Sequence, residues 1–212
     1  LVAQLPPLGG GLRAMGGKVW AMVEFEADDA LAAAAHLAAQ RSEVEQVIIC
    51  TPDKDLSQCV VGDRIVQLDR RKRETRNEPG VVARFGVGPE SIPDYLALVG
   101  DAADGFPGIP GWGEKASGAL LGRYRHLQQI PSSPATWDVP VRGAAGLSNA
   151  LEENRALAVL FRTLATLRTD VPVFKDLDEL RWRGPTPEFE QVAKRVGVPG
   201  LWDRARGRQP AY

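Results

Sequence analysis

The chain has 212 residues, 44% of them hydrophobic and 25% charged, with 26 basic and 27 acidic side chains. That length suits one domain, or one with a small appendage, and the composition excludes collagen-like, mucin-like and disordered classes. A net charge of −1 gives no global pull on an anionic partner, so any such affinity has to come from local clusters.

Two cysteines, Cys50 and Cys59, and two histidines, His36 and His126, form no CxxC pair or Cys/His ligand set, which argues against zinc. No apolar run reaches about 18 residues and no secretory leader is read, so a reducing, cytoplasmic setting with no membrane partner is expected. The sequence opens without Met in what reads as the middle of an α/β pattern. Residues before Leu1 are therefore expected.

In chain order, "VWAMVEF" (19–25) reads as a short strand with partial alternation. "DDALAAAAHLAAQ" (28–40) reads as a helix with acidic residues in its first turn, where the macrodipole favours them. "EQVIIC" (45–50) is a continuous apolar run, as in a parallel strand covered on both faces, with Cys50 in the core. A loop, "TPDKDL", follows, then a strand at 64–69, helices at 80–86 and 90–100, and a helix near 114–124. Beyond a loop at Pro131 the pattern gives one helix over 147–167 capped by Ser148. A terminal strand in "TDVPV" and a loose basic tail carrying Arg204, Arg206 and Arg208 complete it.

Three carboxylate clusters stand out. Glu26, Asp28 and Asp29 lie at a strand–helix junction, Asp53 and Asp55 directly follow a strand, and Asp101 and Asp104 are flanked by glycine. In open α/β sheets ligands bind outside the carboxyl ends of the strands, where the first two clusters belong. Residues two apart on an extended chain share a side, so Glu26/Asp28 and Asp53/Asp55 could each present a pair of oxygens to one place. Single clusters of this kind also serve as helix caps or solvated loops. Three of them point to hard divalent cations, which prefer oxygen ligands. Two such ions about 4 Å apart would clamp the attacking and leaving oxygens of a phosphodiester.

The third cluster runs into a turn with four glycines and two prolines between Gly105 and Lys115, followed at once by a helix. Glycines allow tight turns and close backbone approach, and free N–H groups opening a helix bind anions. Gly108, Gly111, Gly113, Glu114, Lys115 and Ser117 are the candidate phosphate contacts. A purely structural turn also fits. A P-loop does not, because Lys115 is followed by Ala116. "RIVQLDRRKRETR" (64–76) carries six basic and two acidic side chains. It reads either as a backbone-contacting hairpin, with Arg71 and Lys72 foremost, or as a solvated charged face. Lys54 stands between two proposed ligands, placed to meet a phosphate or to balance charge, and Trp112 in the turn reads as packing.

"EADDALA", "TPDKDLSQ" and "YLALVGDAADGFPGIPGWGEKASGALL" together resemble the 5′-nuclease family in order and spacing. That family includes the 5′→3′ exonuclease domain of bacterial DNA polymerase I, phage 5′-exonucleases and flap endonucleases, and the small stand-alone bacterial 5′-3′ exonucleases look closest. The resemblance implies an α/β fold with a mostly parallel central sheet, helices on both faces (PIN-like), and a helix–three-turn–helix element. It implies residues 1–80 as the C-terminal part of the nuclease core, 81–170 as the helix–three-turn–helix region with following helices, and 171–212 as a C-terminal extension. The implied activity is structure-specific hydrolysis of DNA at a 5′ end or flap by a bacterial, nucleoid-associated monomer using two Mg²⁺ or Mn²⁺ ions.

By motif position, Glu26 and Asp28 would serve the first ion, and Asp53, Asp55 and Asp104 the second. Asp29 and Asp101 would be outer or water-mediated metal partners, Lys54 a catalytic neighbour, and the "GIPGWGEK" turn a grip on duplex backbone with a bound K⁺. The aspartates of the family's first strand and its helical arch have no counterpart in this stretch. The rival readings are a non-catalytic duplex-DNA-binding module and a PIN-like ribonuclease.

Overall fold

The computed structural model describes residues 2–198 and 200–207. In chain order its helices and strands are α1 (Leu5–Ala14), α2 (Ala27–Ala39), β1 (Val47–Ile49), β2 (Ile65–Asp69), β3 (Glu74–Arg76), α3 (Glu78–Phe85), α4 (Ile92–Val99), α5 (Glu114–Tyr124), α6 (Ala144–Glu153), α7 (Arg155–Ala165), α8 (Glu188–Val196) and α9 (Leu201–Arg206). The chain divides into two compact units, one of residues 31–171 and one made from 1–30 together with 172–212.

In the larger unit β1 and β2 are parallel, Val47 opposite Ile65, and β2 and β3 form an antiparallel hairpin, Gln67 opposite Arg76. The sheet order is therefore β1-β2-β3. Local chemistry sets the helices that follow. Asn77 caps α3, its side chain accepting from the Gly80 N–H at 3.1 Å, and Gly86 ends it at a φ of 76°. Pro93 suits the first turn of α4, and Gly113 opens α5. The core joins α4, α5 and α7 through Ile92, Leu96, Leu120, Leu121, Ala158 and Phe161. Each large apolar side chain buried there contributes about 2 kcal/mol.

In the smaller unit α1 packs on α8 so closely that a Cβ on Gly11 would sit 3.4 Å from Val192. The glycines of "LPPLGGGLRA" give no helical signal by propensity, and here close packing overrides it. The Trp20 indole N–H donates to the Val173 carbonyl at 2.6 Å, and the Lys18 ammonium meets Glu179 at 2.6 Å. Asp176 and Glu179 form a capping box.

Several sequence expectations change. Residues 19–25 form no strand; Val23 is 95% exposed, and the indole bond of Trp20 takes the place of a ladder. β1 is buried on one face only: Ile49 is enclosed while Ile48 and Cys50 are exposed, so Cys50 is not core. The helix expected at 147–167 is two helices broken at Asn154, whose φ of −114° and ψ of 19° leave the helical basin. Ser148 is no cap. It lies inside α6 and donates to the Ser132 carbonyl at 2.6 Å. "TDVPV" forms no strand. Arg204 and Arg206 lie in α9 rather than a loose tail, and Arg208 lies outside the described residues.

Candidate metal centre and nucleic-acid interface

β1 ends at Ile49, and the chain turns through Thr51–Lys54 into a short 3₁₀ helix that starts at Asp55. The Asp53 side chain accepts from the Asp55 N–H at 3.2 Å, which fixes this turn. The turn is also tied to the sheet. Gln67, in the middle of β2 and only 1% exposed, donates to the carbonyls of Thr51, at 3.2 Å, and Asp53. Its own oxygen accepts from Ser57 Oγ at 2.8 Å and from the Arg76 guanidinium at 3.2 Å. One buried amide thus satisfies groups from the carboxylate turn and the hairpin together.

The glycine turn supplies the other carboxylates. Asp101 and Phe106 exchange backbone hydrogen bonds at 2.9 and 3.1 Å, and the Ile109 N–H reaches back to Leu98 at 2.9 Å. That fold-back brings Gly100 and Gly108 into contact, at φ of 89° and 75°. A Cβ on Gly108 would lie 2.5 Å from the Gly100 nitrogen, and one on Gly100 would lie 2.5 Å from the Pro107 carbonyl. Only glycine fits either position.

Asp55, Asp101 and Asp104 each direct a carboxylate oxygen to one place, the three atoms lying within 4.8 Å of one another. Each ionised pair at that distance costs roughly 3 kcal/mol at an effective dielectric of about 20. Asp55 is 6% exposed, and its Oδ1 is enclosed without a hydrogen-bond partner. Burial, a hydrogen bond with Asp104 and the charges of Asp53 and Asp104 push its carboxyl up to about 8. Asp101 goes the other way. Burial would raise it, but the Lys54 ammonium bonded to its Oδ2 and the Ala103 N–H at 2.9 Å hold it below the usual carboxylate range. Lys54, despite burial that would lower it, is raised by Asp101, with Asp55 and Asp53 adding to the effect.

The donor set is all oxygen, over-charged, and holds one buried oxygen with nothing bound to it. Those are the properties of a site for a hard divalent cation.

Asp53 stands beside this trio on the exposed side of the turn. Glu26, Asp28 and Asp29 belong to the smaller unit's stretch of chain, at the start of α2, where the Glu26 N–H donates to Asp29 Oδ2 at 3.2 Å. Among the expected phosphate contacts, Gly111, Gly113, Glu114 and Lys115 are exposed at the opening of α5. Gly108 is buried, its service being the contact with Gly100. Ser117 is 0% exposed with its hydroxyl enclosed, so it cannot touch a strand outside. Trp112 is buried and donates to the Leu147 carbonyl at 3.0 Å, as a packing residue. Arg71 and Lys72 are exposed on the hairpin turn, whose backbone N–H groups Asp69 accepts at 2.9 and 3.1 Å.

Sequence reasoning passed over Gln67 and Tyr95, and took Arg76 only as one charge of the basic 64–76 stretch. A lone polar residue inside the apolar run "RIVQL" was the available sign for Gln67. Arg76 and Tyr95 become notable only through a cleft of about 610 Å³ that both line, together with Asp53 and Lys54.

A small α/β sheet carrying carboxylates at its edge, followed by a helical region opened by a glycine turn, defines a class that the comparisons make specific. Residues 1–86 match the 5′-3′ exonuclease N-terminal resolvase-like domain, and residues 87–188 match the 5′-3′ exonuclease C-terminal SAM fold. The chain belongs to the 5′-3′ exonuclease family.

It is 39% identical over 188 residues to DNA polymerase I of Pseudomonas aeruginosa, covering 85% of this chain and 20% of that protein. It is 28% identical over 174 residues to a 5′-3′ exonuclease of Buchnera aphidicola, covering 82% of this chain and 60% of that protein. The chain thus spans a fifth of the polymerase and three fifths of the stand-alone exonuclease. Among solved structures its fold matches a T5 5′-exonuclease with divalent metal ions (zinc) bound, at a TM-score of 0.56 and 17% identity, covering 82% of this chain and 60% of that one. A bacteriophage T5 flap endonuclease in a pseudo-enzyme-product complex with DNA and metal ions matches equally, at 0.56 and 17%, with the same coverage of each chain. Among the described residues no helix is long and apolar enough to cross a membrane.

Proposed function

We propose that this chain carries the metal-dependent nuclease chemistry of a bacterial 5′-3′ exonuclease or flap endonuclease, acting on DNA with a 5′ end or flap by structure rather than by sequence. The observation that carries the reading is the meeting of Asp55 with Asp101 and Asp104, from turns that lie far apart in the chain, around an unpartnered buried oxygen.

Asp53, Asp55 and Asp104 would hold one Mg²⁺ or Mn²⁺ ion, with Asp101 as its outer partner. Glu26 and Asp28 are assigned to the other ion by their motif position, with Asp29 as an outer or water-mediated partner. When bound, such ions offset the developing charge on the attacking and leaving oxygens of a phosphodiester. The chain's own residues set the stage. Lys54 keeps Asp101 ionised, and Asp55 gives up its proton as a cation binds. Gly111, Gly113 and Lys115 offer N–H groups and an ammonium to duplex phosphates, with a K⁺ in the same turn. The names of the relatives support DNA as substrate, and we take a cytoplasmic place of action and a monomeric working unit as part of the same reading.

The test is cleavage of a 5′-labelled flap duplex in Mg²⁺ and in EDTA, with binding measured on the same DNA. Asp55→Asn and Asp104→Asn should each lower the rate roughly a hundredfold or more while binding persists. Mg²⁺-dependent cleavage kept by both variants would overturn the ligand assignment. The absence of a strand at 19–25, just ahead of Glu26, favours a second reading, a duplex-binding module without chemistry. Binding without cleavage in any divalent ion would establish that one, and preferential cutting of an RNA flap would point to a ribonuclease.

A further inference from the structure

The cleft beside the carboxylate turn is not explained by the metal centre. It runs from Asp53 and Lys54, past Arg71, Lys72 and Arg76 on the hairpin, to Arg84 and Tyr95 on α3 and α4, and it reaches Glu114 at the start of α5. Its volume of about 610 Å³ lies in the range of ligand sites. Phe85 and Tyr95 form part of its lining and pack edge to face, ring centres 5.5 Å apart.

Its charges are unevenly engaged. The Asp69 carboxylate is occupied by the backbone N–H groups of Arg71 and Lys72, and Lys54 is bonded to Asp101. Arg76 has Glu74 at 3.5 Å and Gln67 at 3.2 Å, but its Nε is buried with no partner. Among the described residues Arg71, Lys72 and Arg84 have no carboxylate within ion-pair distance. Arg84 lies over the Phe85 ring at 5.2 Å instead. Glu114 and Asp53 are the remaining carboxylates on the lining. A buried guanidinium N–H left without an acceptor costs stability unless a ligand completes it. The planar fork of arginine is suited to a phosphate.

We infer that this cleft is a phosphate subsite of the nuclease, in which Arg76 and Arg84 hold one phosphate of the DNA strand led to the carboxylates. The inference rests on the nuclease reading above and adds to it a site for the strand. Gln67 is its positioning residue, since it bonds both the Arg76 guanidinium and the backbone of the Asp53 turn.

The test is equilibrium binding of a flap duplex, with Ca²⁺ in place of Mg²⁺, over a series of salt concentrations. Wild type is compared with Arg76→Ala, Arg76→Lys and Arg84→Ala, each checked for folding by circular dichroism. Arg84 is exposed, so its variant reads the cleft even where Arg76→Ala fails to fold. Each alanine variant should weaken binding about tenfold at moderate salt and make the slope of log K against log salt shallower by about 0.9. Arg76→Lys should restore the slope and only part of the affinity. A duplex with a 5′-hydroxyl in place of a 5′-phosphate distinguishes the sources. An effect lost with the hydroxyl marks a terminal phosphate, and an effect retained marks a phosphodiester within the strand.

Wild-type affinity and slope in folded Arg84→Ala, and in Arg76→Ala if it folds, would overturn the subsite and leave the metal centre standing. Failure of wild type to cleave in Mg²⁺ would instead sink the nuclease reading, while the binding series would still report on the cleft.

Discussion

The Lys54 ammonium is bonded to the Asp101 carboxylate across 47 positions of chain, joining the turn after β1 to the glycine turn after α4. The pair is half open to water on the lysine side and buried on the aspartate side. It sets a positive charge directly against one member of the carboxylate trio. Lys54→Ala should therefore cost the metal-free protein about 1–2 kcal/mol, between the value of an exposed pair and that of a buried one. A divalent cation can take over the ammonium's service. Mg²⁺ should accordingly raise the melting temperature of Lys54→Ala by more than it raises that of wild type. An equal rise in both, measured by calorimetry in EDTA and in Mg²⁺, would show that the lysine does not compete with the metal.

Asp55 behaves differently, because its buried oxygen is a cost that only a proton or a cation relieves. Asp55→Asn removes the ionisable carboxyl, whose pKa burial and its acidic neighbours push up to about 8, and keeps the shape, so the metal-free variant should melt no lower than wild type. The Mg²⁺-dependent gain should vanish with it; for a site filled at a hundred times its dissociation constant that gain is about 2.7 kcal/mol. Thermal denaturation at matched Mg²⁺ decides, and an undiminished gain would place the ion elsewhere.

The glycines of the turn differ in what an added side chain would meet. Gly105 has a φ of 81° with nothing within 4 Å of a Cβ, so Gly105→Ala should cost about 1 kcal/mol from backbone strain alone. Gly108→Ala adds a clash with the Gly100 nitrogen at 2.5 Å and the Leu98 carbonyl at 2.6 Å, and should cost at least about 2–3 kcal/mol. Gly113 has an ordinary φ of −126° and open space around it. Gly113→Ala should leave the unfolding midpoint nearly unchanged yet weaken duplex binding if DNA backbone approaches there. Urea titration and DNA binding on the same three proteins supply the comparison.

Much of this arrangement was legible in the chain, and the reasons differ by element. Helix α5 starts where the sequence placed it, because Gly113 and Glu114 are a strong local signal. Strands β1 and β2 and the hairpin followed from apolar runs punctuated by charged turns. The family resemblance grouped Asp53, Asp55 and Asp104 and kept Asp101 as an outer partner, whereas the fold brings Asp55, Asp101 and Asp104 together. Long-range facts were not legible. No local pattern says that Lys54 meets Asp101, that Gln67 bonds four partners, or that Ser117 faces inward. Helix α1 was missed because its glycines oppose a helix while its fit against α8 rewards one.

Gln67 gives a sharp measure of that hidden layer. Gln67→Leu keeps the volume but strips partners from the Thr51 and Asp53 carbonyls, Ser57 Oγ and the Arg76 guanidinium. Leaving such buried groups unpaired should cost about 2–4 kcal/mol, more than an apolar gain in the core returns. Gln67→Glu tests the direction of the bonds. A carboxylate still accepts from Ser57 and Arg76 but cannot donate to the two carbonyls, so it should also destabilise. Denaturant unfolding of both variants checks this, and a neutral result for Gln67→Leu would demote the residue to filler.

The smaller unit gives the pH dependence. Glu179 accepts the Lys18 ammonium at 2.6 Å and the backbone N–H groups of Lys175 and Asp176, at 2.9 and 3.3 Å. The lysine first, then the two N–H groups, lower its carboxyl from 4.5 to about 2. A carboxyl depressed in the folded state binds fewer protons there than in the unfolded chain. Its contribution is therefore complete above about pH 4.5 and is lost as the pH falls toward 2. Glu179→Gln should melt below wild type at pH 7, and the gap should close progressively between pH 4.5 and 2. Melting curves of the two proteins at pH 7, 4 and 2.5 measure it. A gap that stays constant over that range would mean that the lost hydrogen-bond geometry, and not the carboxylate charge, sets the difference.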